Sequence, residues 1–206
     1  MSIELATYWL WMAWAVSWYS AALWASRAVA RPRSPAKDFH RIIASAGWVL
    51  VFGFSSRPGG VGWTISAVSS LSILSRSLGD EPAWFQGLLF ALAAASFGFC
   101  WWARLHMGRL WSGFITLKAD HKIVDTGPFK LVRHPIYAGV MGATIALALI
   151  KLSPFALFGA FLVVLGFSIT ARLEERFLEE KLGSSAYDDY RRRTAMLVPG
   201  LHLRPN

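Results

Sequence analysis

The residues best placed to do chemistry are an arginine and a histidine before one apolar run and two glutamates after the next. Arg133 and His134 stand directly before Pro135, while Glu174 and Glu175 follow the second run. A guanidinium, an imidazole and two carboxylates can together hold a zwitterion, because the cations take its carboxylate and a glutamate takes its ammonium. These side chains therefore predict a polar site if the fold brings them together.

The arginine and histidine belong to a polar stretch, 121–139, which reads HKIVDTGPFKLVRHPIYAG between two long apolar runs. Such a segment must leave a bilayer or line a protected cavity. Pro135 suits the first position of a helix, which puts the residues before it at the positive end of a helix dipole, where anions bind favourably. Gly127-Pro128 predicts a turn that constrains the loop.

The elements that must position these residues are long apolar helices. The chain has 206 residues, of which 55% are hydrophobic, and its single cysteine excludes an internal disulfide. About 20 apolar residues cross a bilayer core, so we expect an all-α, polytopic bundle of about five transmembrane helices. The candidate runs are 5–26, 42–56, 85–103, 136–150 and 155–170. The last two, separated only by 151–154, predict a helical hairpin.

The charge distribution predicts the orientation. The chain carries 21 Lys and Arg against 12 Asp and Glu, a formal charge of +9. Because the basic residues flank apolar runs, anionic lipid is favoured over nucleic acid as the partner. The positive-inside rule places the loop 27–41 and the basic end of the run 85–103 in the cytoplasm. The polar stretch 121–139 then faces the cytoplasm as well.

The segment 63–78 has two interpretations. Its apolar residues recur at helical spacing while serines fill the other face. This pattern is typical of an amphipathic helix on the membrane surface, although the serines could equally pack a true span against its neighbours. Because one crossing suffices between the loop 27–41 and the run 85–103, we favour a helix that does not span.

The hairpin brings the loop before Pro135 beside the helix after Thr170. We expect this helix to continue into the charged stretch 172–181, so that its two glutamates share a cytoplasmic pocket with the arginine and histidine. The order of the surrounding motifs is more specific than any one of them. It runs Gly108-Arg109-Leu110-Trp111-Ser112, Asp120-His121, Gly127-Pro128-Phe129, Arg133-His134-Pro135-Ile136-Tyr137-Ala138-Gly139, Glu174-Glu175, Leu178, Gly183, Tyr187, Tyr190 and Val198-Pro199.

This series resembles the isoprenylcysteine carboxyl methyltransferase family of integral membrane enzymes, and more loosely the related phospholipid N-methyltransferases. The resemblance covers about 104–201. It divides a single domain, 1–206, into N-terminal spans, 1–103, and a catalytic half, 104–206. It implies S-adenosyl-L-methionine (SAM) as the methyl donor, bound at the cytoplasmic face. No strand followed by a glycine-rich turn supports a Rossmann-type site instead.

The resemblance also implies the site residues. The cofactor would be bound by His121, Arg133, His134, Pro135, Tyr137, Glu174 and Glu175, with Trp111 lining the same loop. The candidate catalytic residues are Arg133, Glu174 and Arg172. Either arginine could position an acceptor carboxylate through a bidentate contact, and the sequence leaves open which one does so.

The acceptor implied by the resemblance is lipophilic. A carboxylate of an isoprenylcysteine-like or prenylated substrate needs no general base, because the sulfonium methyl is already activated and the enzyme has chiefly to align the two groups and exclude water. A phospholipid amine or a small thiol is the alternative acceptor. The oligomeric state has no signature in the sequence.

Other classes of protein fit less well. A transporter should carry ionisable residues inside its spans, and the runs 5–26, 85–103, 136–150 and 155–170 contain none. A membrane scaffold with a decayed site stays an alternative. We predict no metal site, because His106, His121 and His134 lack the short spacing of metal ligands.

Overall fold

The structure, a computed structural model, describes residues 2–22, 36–54, 74, 77–79, 81–108, 124–182 and 184–201. These residues form six α-helices: α1 (Ile3–Ala22), α2 (Ala36–Gly53), α3 (Ala83–Met107), α4 (Pro135–Lys151), α5 (Pro154–Leu182) and α6 (Ser184–Arg193). A short 3₁₀ helix, Gly127–Lys130, precedes α4. The described residues contain no β-strand, which agrees with the predicted all-α class.

The predicted hairpin is confirmed. Helix α4 begins at Pro135 and ends at Lys151, and α5 begins at Pro154. Leu152 adopts a left-handed conformation, with φ of 44°, and its N–H bonds to Ala148 O at 2.8 Å, so it caps α4 before the chain reverses. Helix α5 continues without a break to Leu182, which confirms that the apolar run extends into the charged stretch.

Two helices, α3 and the part of α5 from Pro154 to Glu180, are long and apolar enough to cross a membrane. Helix α4 and Phe39–Gly53 within α2 are shorter apolar helices. The count of five spans therefore stays a prediction. Most of the segment 63–78 lies outside the described residues, so its two interpretations stay open.

Close contacts at glycines hold the helices together in pairs. A Cβ atom added to Gly47 on α2 would lie 2.5 Å from Gly159 O on α5. On α4, a Cβ added to Gly139 would lie 2.5 Å from Cys100 Sγ and 2.6 Å from Ser96 O of α3. Small residues allow backbones in a membrane to approach this closely. The beginning of α4 is thus fixed against α3, while α5 is fixed against α2.

A buried lysine joins three helices at the end of α4 that lies away from Arg133. The Nζ atom of Lys151 donates to Tyr8 Oη at 2.9 Å, to Val51 O at 2.7 Å and to Phe54 O. The side chain is fully buried. Its ammonium therefore meets carbonyl groups at the C-terminal end of α2, where the helix dipole is negative.

Candidate cofactor site

The structure brings Arg133 and Glu175 together in a two-pronged ion pair. Arg133 Nε lies 2.7 Å from Glu175 Oε1, and Nη2 lies 3.1 Å from Oε2. Their side chains are only 8% and 7% exposed. A bidentate pair of this kind is strong and fixes the orientation of both groups.

His134 joins the same carboxylate from the start of α4. Its Nε2 lies 3.1 Å from Glu175 Oε1, and its Nδ1 lies 3.7 Å from Glu174 Oε2. The residue has φ of −122° and ψ of 65°, outside the helical region, as expected for a residue before proline. The imidazole therefore sits between two glutamates that are adjacent in sequence.

Tyr137 holds the second glutamate. Its hydroxyl donates to Glu174 Oε2 at 2.8 Å. The Tyr137 ring stacks on the His134 ring, with centroids 5.4 Å apart and planes 5° from parallel, and its other ring contact is Phe167 of α5 at 5.3 Å. The side chain of Glu174 is 27% exposed, against 7% for Glu175. Glu174 is therefore the carboxylate that a ligand can reach.

The chain after α6 completes the site. Arg133 N donates to Ala195 O at 2.8 Å, and His134 N donates to Met196 O at 3.1 Å. The Arg133 guanidinium reaches back to the same segment, where Nη1 donates to Thr194 O and, at 3.0 Å, to Arg191 O. These contacts could not be predicted from the spacing of residues in the sequence, because they depend on how the chain after α6 folds back onto residues 133 and 134.

Tyr190 links α6 to the turn before the site. Its hydroxyl donates to Phe129 O at 2.7 Å, and both side chains are buried. Burial raises the pKa of Tyr190 well above its ordinary value, so the hydroxyl stays protonated and able to donate at neutral pH. The family motifs had singled out Tyr190 without assigning it a contact.

The other predicted site residues have three different outcomes. Pro135 is buried at the first position of α4 and directs His134 toward the glutamates. Arg172 is exposed on α5, and within the described residues it makes no hydrogen bond or ion pair with Glu174 or Glu175. His121 and Trp111 lie outside the described residues.

Carboxylates of the protein lie beside the arginines of α6. Arg191 Nη1 lies 2.7 Å from Glu179 Oε1, and Arg192 pairs with Asp189. At least these two arginines have a protein carboxylate beside them. The ion pair between Glu179 and Arg191 joins α5 to α6.

The site has the donors and acceptors that the cofactor implied by the resemblance requires. SAM carries an ammonium, a sulfonium and a carboxylate. The accessible Glu174 carboxylate suits either cation, and the first N–H groups of α4 suit the carboxylate because a helix start leaves them without partners in the helix. Within the described residues, no group of three or more His, Cys, Asp or Glu side chains could hold a metal ion.

Comparison with known proteins supports the resemblance seen in the motifs. Residues 87–180 match the isoprenylcysteine carboxyl methyltransferase (ICMT) family, the same family that the sequence motifs resemble. This match covers α3 from residue 87 onward, α4, and α5 as far as residue 180 with both glutamates, and it ends before α6.

Two curated relatives carry names from metal resistance. The nickel-cobalt-cadmium resistance protein NccN of Alcaligenes xylosoxydans xylosoxydans is 32% identical over 47% of this chain and 46% of its own length. The cobalt-zinc-cadmium resistance protein CzcN of Cupriavidus metallidurans is 30% identical over 47% of this chain and 45% of its own length. The chain thus spans less than half the length of either relative.

Proposed function

We propose, on the premise of the ICMT family match over residues 87–180, that this protein is a membrane methyltransferase that uses SAM. The observation that carries the proposal is the environment of Glu174. Tyr137 holds this carboxylate at 2.8 Å, it lies beside His134, and it stays partly accessible where α4 begins. An anionic group next to a helix N-terminus suits a ligand that carries both signs of charge.

Glu174 would take the ammonium of SAM, and the first turn of α4 would take its carboxylate. SAM, when bound, supplies a methyl group that is already activated for transfer. The task of the protein is then to hold the acceptor in line with that methyl and to keep water away. The His134 ring stacks on the Tyr137 ring, and this contact fixes the orientation of both side chains in the site.

The two arginines proposed to position the acceptor differ in the contacts that they make. Two bonds from Arg133 to Glu175 and two to backbone carbonyls use four of the five N–H groups of its guanidinium. Arg133 therefore has little capacity for a bidentate contact with an acceptor. We assign that role to Arg172, which is exposed on the same helix as both glutamates.

We propose a lipophilic acceptor that reaches the site from the bilayer, since α3 and α5 are long enough to span it. The carboxylate of an isoprenylcysteine-like compound is the first candidate, and a phospholipid amine or a small thiol is the alternative. In this arrangement the protein crosses the membrane several times and its site faces the cytoplasm, because basic residues flank that end of α3.

A second candidate function comes from the names of the two relatives, which refer to resistance to nickel, cobalt, cadmium and zinc. Methylation of a membrane component would be the contribution of this chain to such resistance. A strain that lacks the gene should then grow poorly in cadmium, and the wild-type gene should restore growth where Glu174→Gln does not.

The primary experiment is calorimetry of SAM with the detergent-purified protein. We expect saturable binding by the wild type, loss of binding by Glu174→Gln, and unchanged binding by Glu180→Gln, an exposed glutamate on the same helix. A well-folded wild-type protein that does not bind SAM would refute the proposed function. Bound SAM would justify a screen of acceptors that begins with a prenylated cysteine analogue.

A further inference from the structure

We propose that Tyr190 and residues 194–196, together called the C-terminal brace, hold Arg133 and His134 in place beside Glu174, the carboxylate assigned to the ligand. The brace lies beyond residue 180, where the family match ends. The inference rests on the proposed function for the identity of the ligand. It assigns Tyr190 and Arg133 a positioning role, since their bonds are to the protein.

The first step is the backbone of the two residues before Pro135. Their N–H groups precede α4, so the helix offers them no acceptors. Ala195 O and Met196 O accept these two bonds, at 2.8 Å and 3.1 Å, and Val132 pairs with Ala195 as an isolated parallel bridge. The brace therefore sets the direction in which the arginine and histidine side chains leave the backbone.

The second step is the Arg133 guanidinium. One edge holds Glu175, and Nη1 holds the carbonyls of Arg191 and Thr194. Glu175 in turn accepts from His134 at 3.1 Å. The contacts form a continuous path from the brace through Arg133 and Glu175 to the imidazole beside Glu174.

The third step is Tyr190, which joins the brace to the other end of the loop. Its hydroxyl donates to Phe129 O at 2.7 Å, and its own carbonyl accepts from Thr194 N at 3.0 Å. Tyr190 thus fixes both the turn before Val132 and the start of the segment 194–196, which pairs with Val132. Without the hydroxyl, Phe129 O is a buried carbonyl that has lost this donor, and we expect the loop to shift toward water.

The test compares Tyr190→Phe with Tyr187→Phe. Both residues are buried in α6, and their rings contact each other with centroids 6.2 Å apart. The structure shows no hydrogen bond from the Tyr187 hydroxyl within the described residues, so the second variant is a matched control. Each replacement removes one oxygen atom and keeps the ring. Affinity for SAM is measured by calorimetry, and amide hydrogen exchange is measured by mass spectrometry.

We expect Tyr190→Phe to weaken SAM binding about tenfold, as for loss of one buried hydrogen bond, with Tyr187→Phe close to wild type. Amide exchange over 131–134 should rise in Tyr190→Phe and stay unchanged in α3 and in the apolar part of α5. A purely structural role would raise exchange across all helices instead, and that result would overturn the proposal.

Unchanged affinity together with unchanged exchange over 131–134 would also overturn it. If the wild-type protein binds no SAM, the proposed function fails by itself. The brace is then judged on exchange alone, where a local rise confined to 131–134 supports it and no rise refutes it.

Discussion

Glu174 and Glu175 are neighbours in sequence and make different contacts. Glu175 is held by Arg133 and His134 with its side chain 7% exposed, whereas Glu174 is held by Tyr137 with 27% exposed. A helix turns by about 100° per residue, so adjacent side chains point to different surroundings. Glu175 therefore fixes the arginine and the histidine, and Glu174 is the more accessible carboxylate, to which the proposed function assigns the ligand.

Replacing Glu175 by Gln should therefore destabilise the fold more than replacing Glu174. Removing one charge from a buried pair leaves the other uncompensated, which costs about 3 kcal/mol. We expect a clearly lowered melting temperature for Glu175→Gln in detergent, with Glu174→Gln close to wild type. Equal melting temperatures for the two variants would contradict this division of roles.

Much of the polar cluster could be predicted from the residues alone. The hairpin between Lys151 and Pro154 required α4 and α5 to be antiparallel, and that places Arg133 and His134 beside the two glutamates. The hydrogen bonds from the Arg133 guanidinium to backbone carbonyls could not be predicted. They depend on backbone carbonyls of 191 and 194, and carbonyl groups carry no sequence signal.

Among the elements, α4 depends on its close approach to α3. Gly139 stands one turn after Pro135, and a Cβ atom there would meet Cys100 Sγ at 2.5 Å and Ser96 O at 2.6 Å. Either contact is far shorter than van der Waals distance. The start of α4, which carries His134 and Tyr137, is therefore located by this contact.

Gly139→Ala should lower both the melting temperature and the affinity for SAM, because the added methyl group pushes α4 from α3 at a cost of about 1–3 kcal/mol. Gly98→Ala is the control. It lies on α3 with nothing within 4 Å of its added Cβ, so alanine should leave stability unchanged or slightly raised. An affinity for SAM that Gly139→Ala leaves intact would argue against this role of the contact.

The continuation of α5 past the apolar run was predictable, because a helical pattern of charges follows directly after Thr170. The course of the chain after α6 was not. Residues 194–196 pair with 132–134 as single backbone bonds, and a segment of that length has no periodicity to detect.

At the scale of the whole molecule, the site and Lys151 occupy opposite ends of α4. The lysine binds α1, α2 and α4 together through Tyr8, Val51 and Phe54. A basic residue at the end of an apolar run would ordinarily be expected at the membrane surface, so its burial could not be predicted from the sequence.

Lys151→Met should lower the melting temperature without changing the affinity for SAM. The variant leaves the carbonyls of Val51 and Phe54 without this donor, at a cost of about 1–3 kcal/mol each. Lys130→Met, an exposed position on the 3₁₀ helix, should have no effect on stability. A loss of SAM affinity in Lys151→Met beyond that explained by unfolding would refute the separation of the two ends.

The same separation predicts the result of labelling in oriented membranes. Gly79 is exposed near Leu152, since Leu78 N bonds to Leu152 O at 2.8 Å, whereas Glu180 is exposed at the end that carries the site. A cysteine at position 180 should react with an impermeant maleimide from the cytoplasmic side, and one at position 79 from the other side. The single native cysteine, Cys100, is buried and should not react with the maleimide from either side of the membrane. Reaction of both introduced cysteines from one side would refute the proposed topology.

The pairing of Tyr190 with Phe129 across 61 positions has a consequence for biosynthesis. The ribosome makes both glutamates and the Arg133 corner before it makes the segment that closes them. At about 5–20 residues per second, about 1–4 seconds pass between the synthesis of Glu175 and that of Met196. A nascent chain halted before Tyr190 would therefore hold Arg133 and Glu175 together without the carbonyls of 191 and 194 that complete the bonds of the guanidinium, and on the proposed function it would bind its ligand more weakly than the chain that includes 194–196.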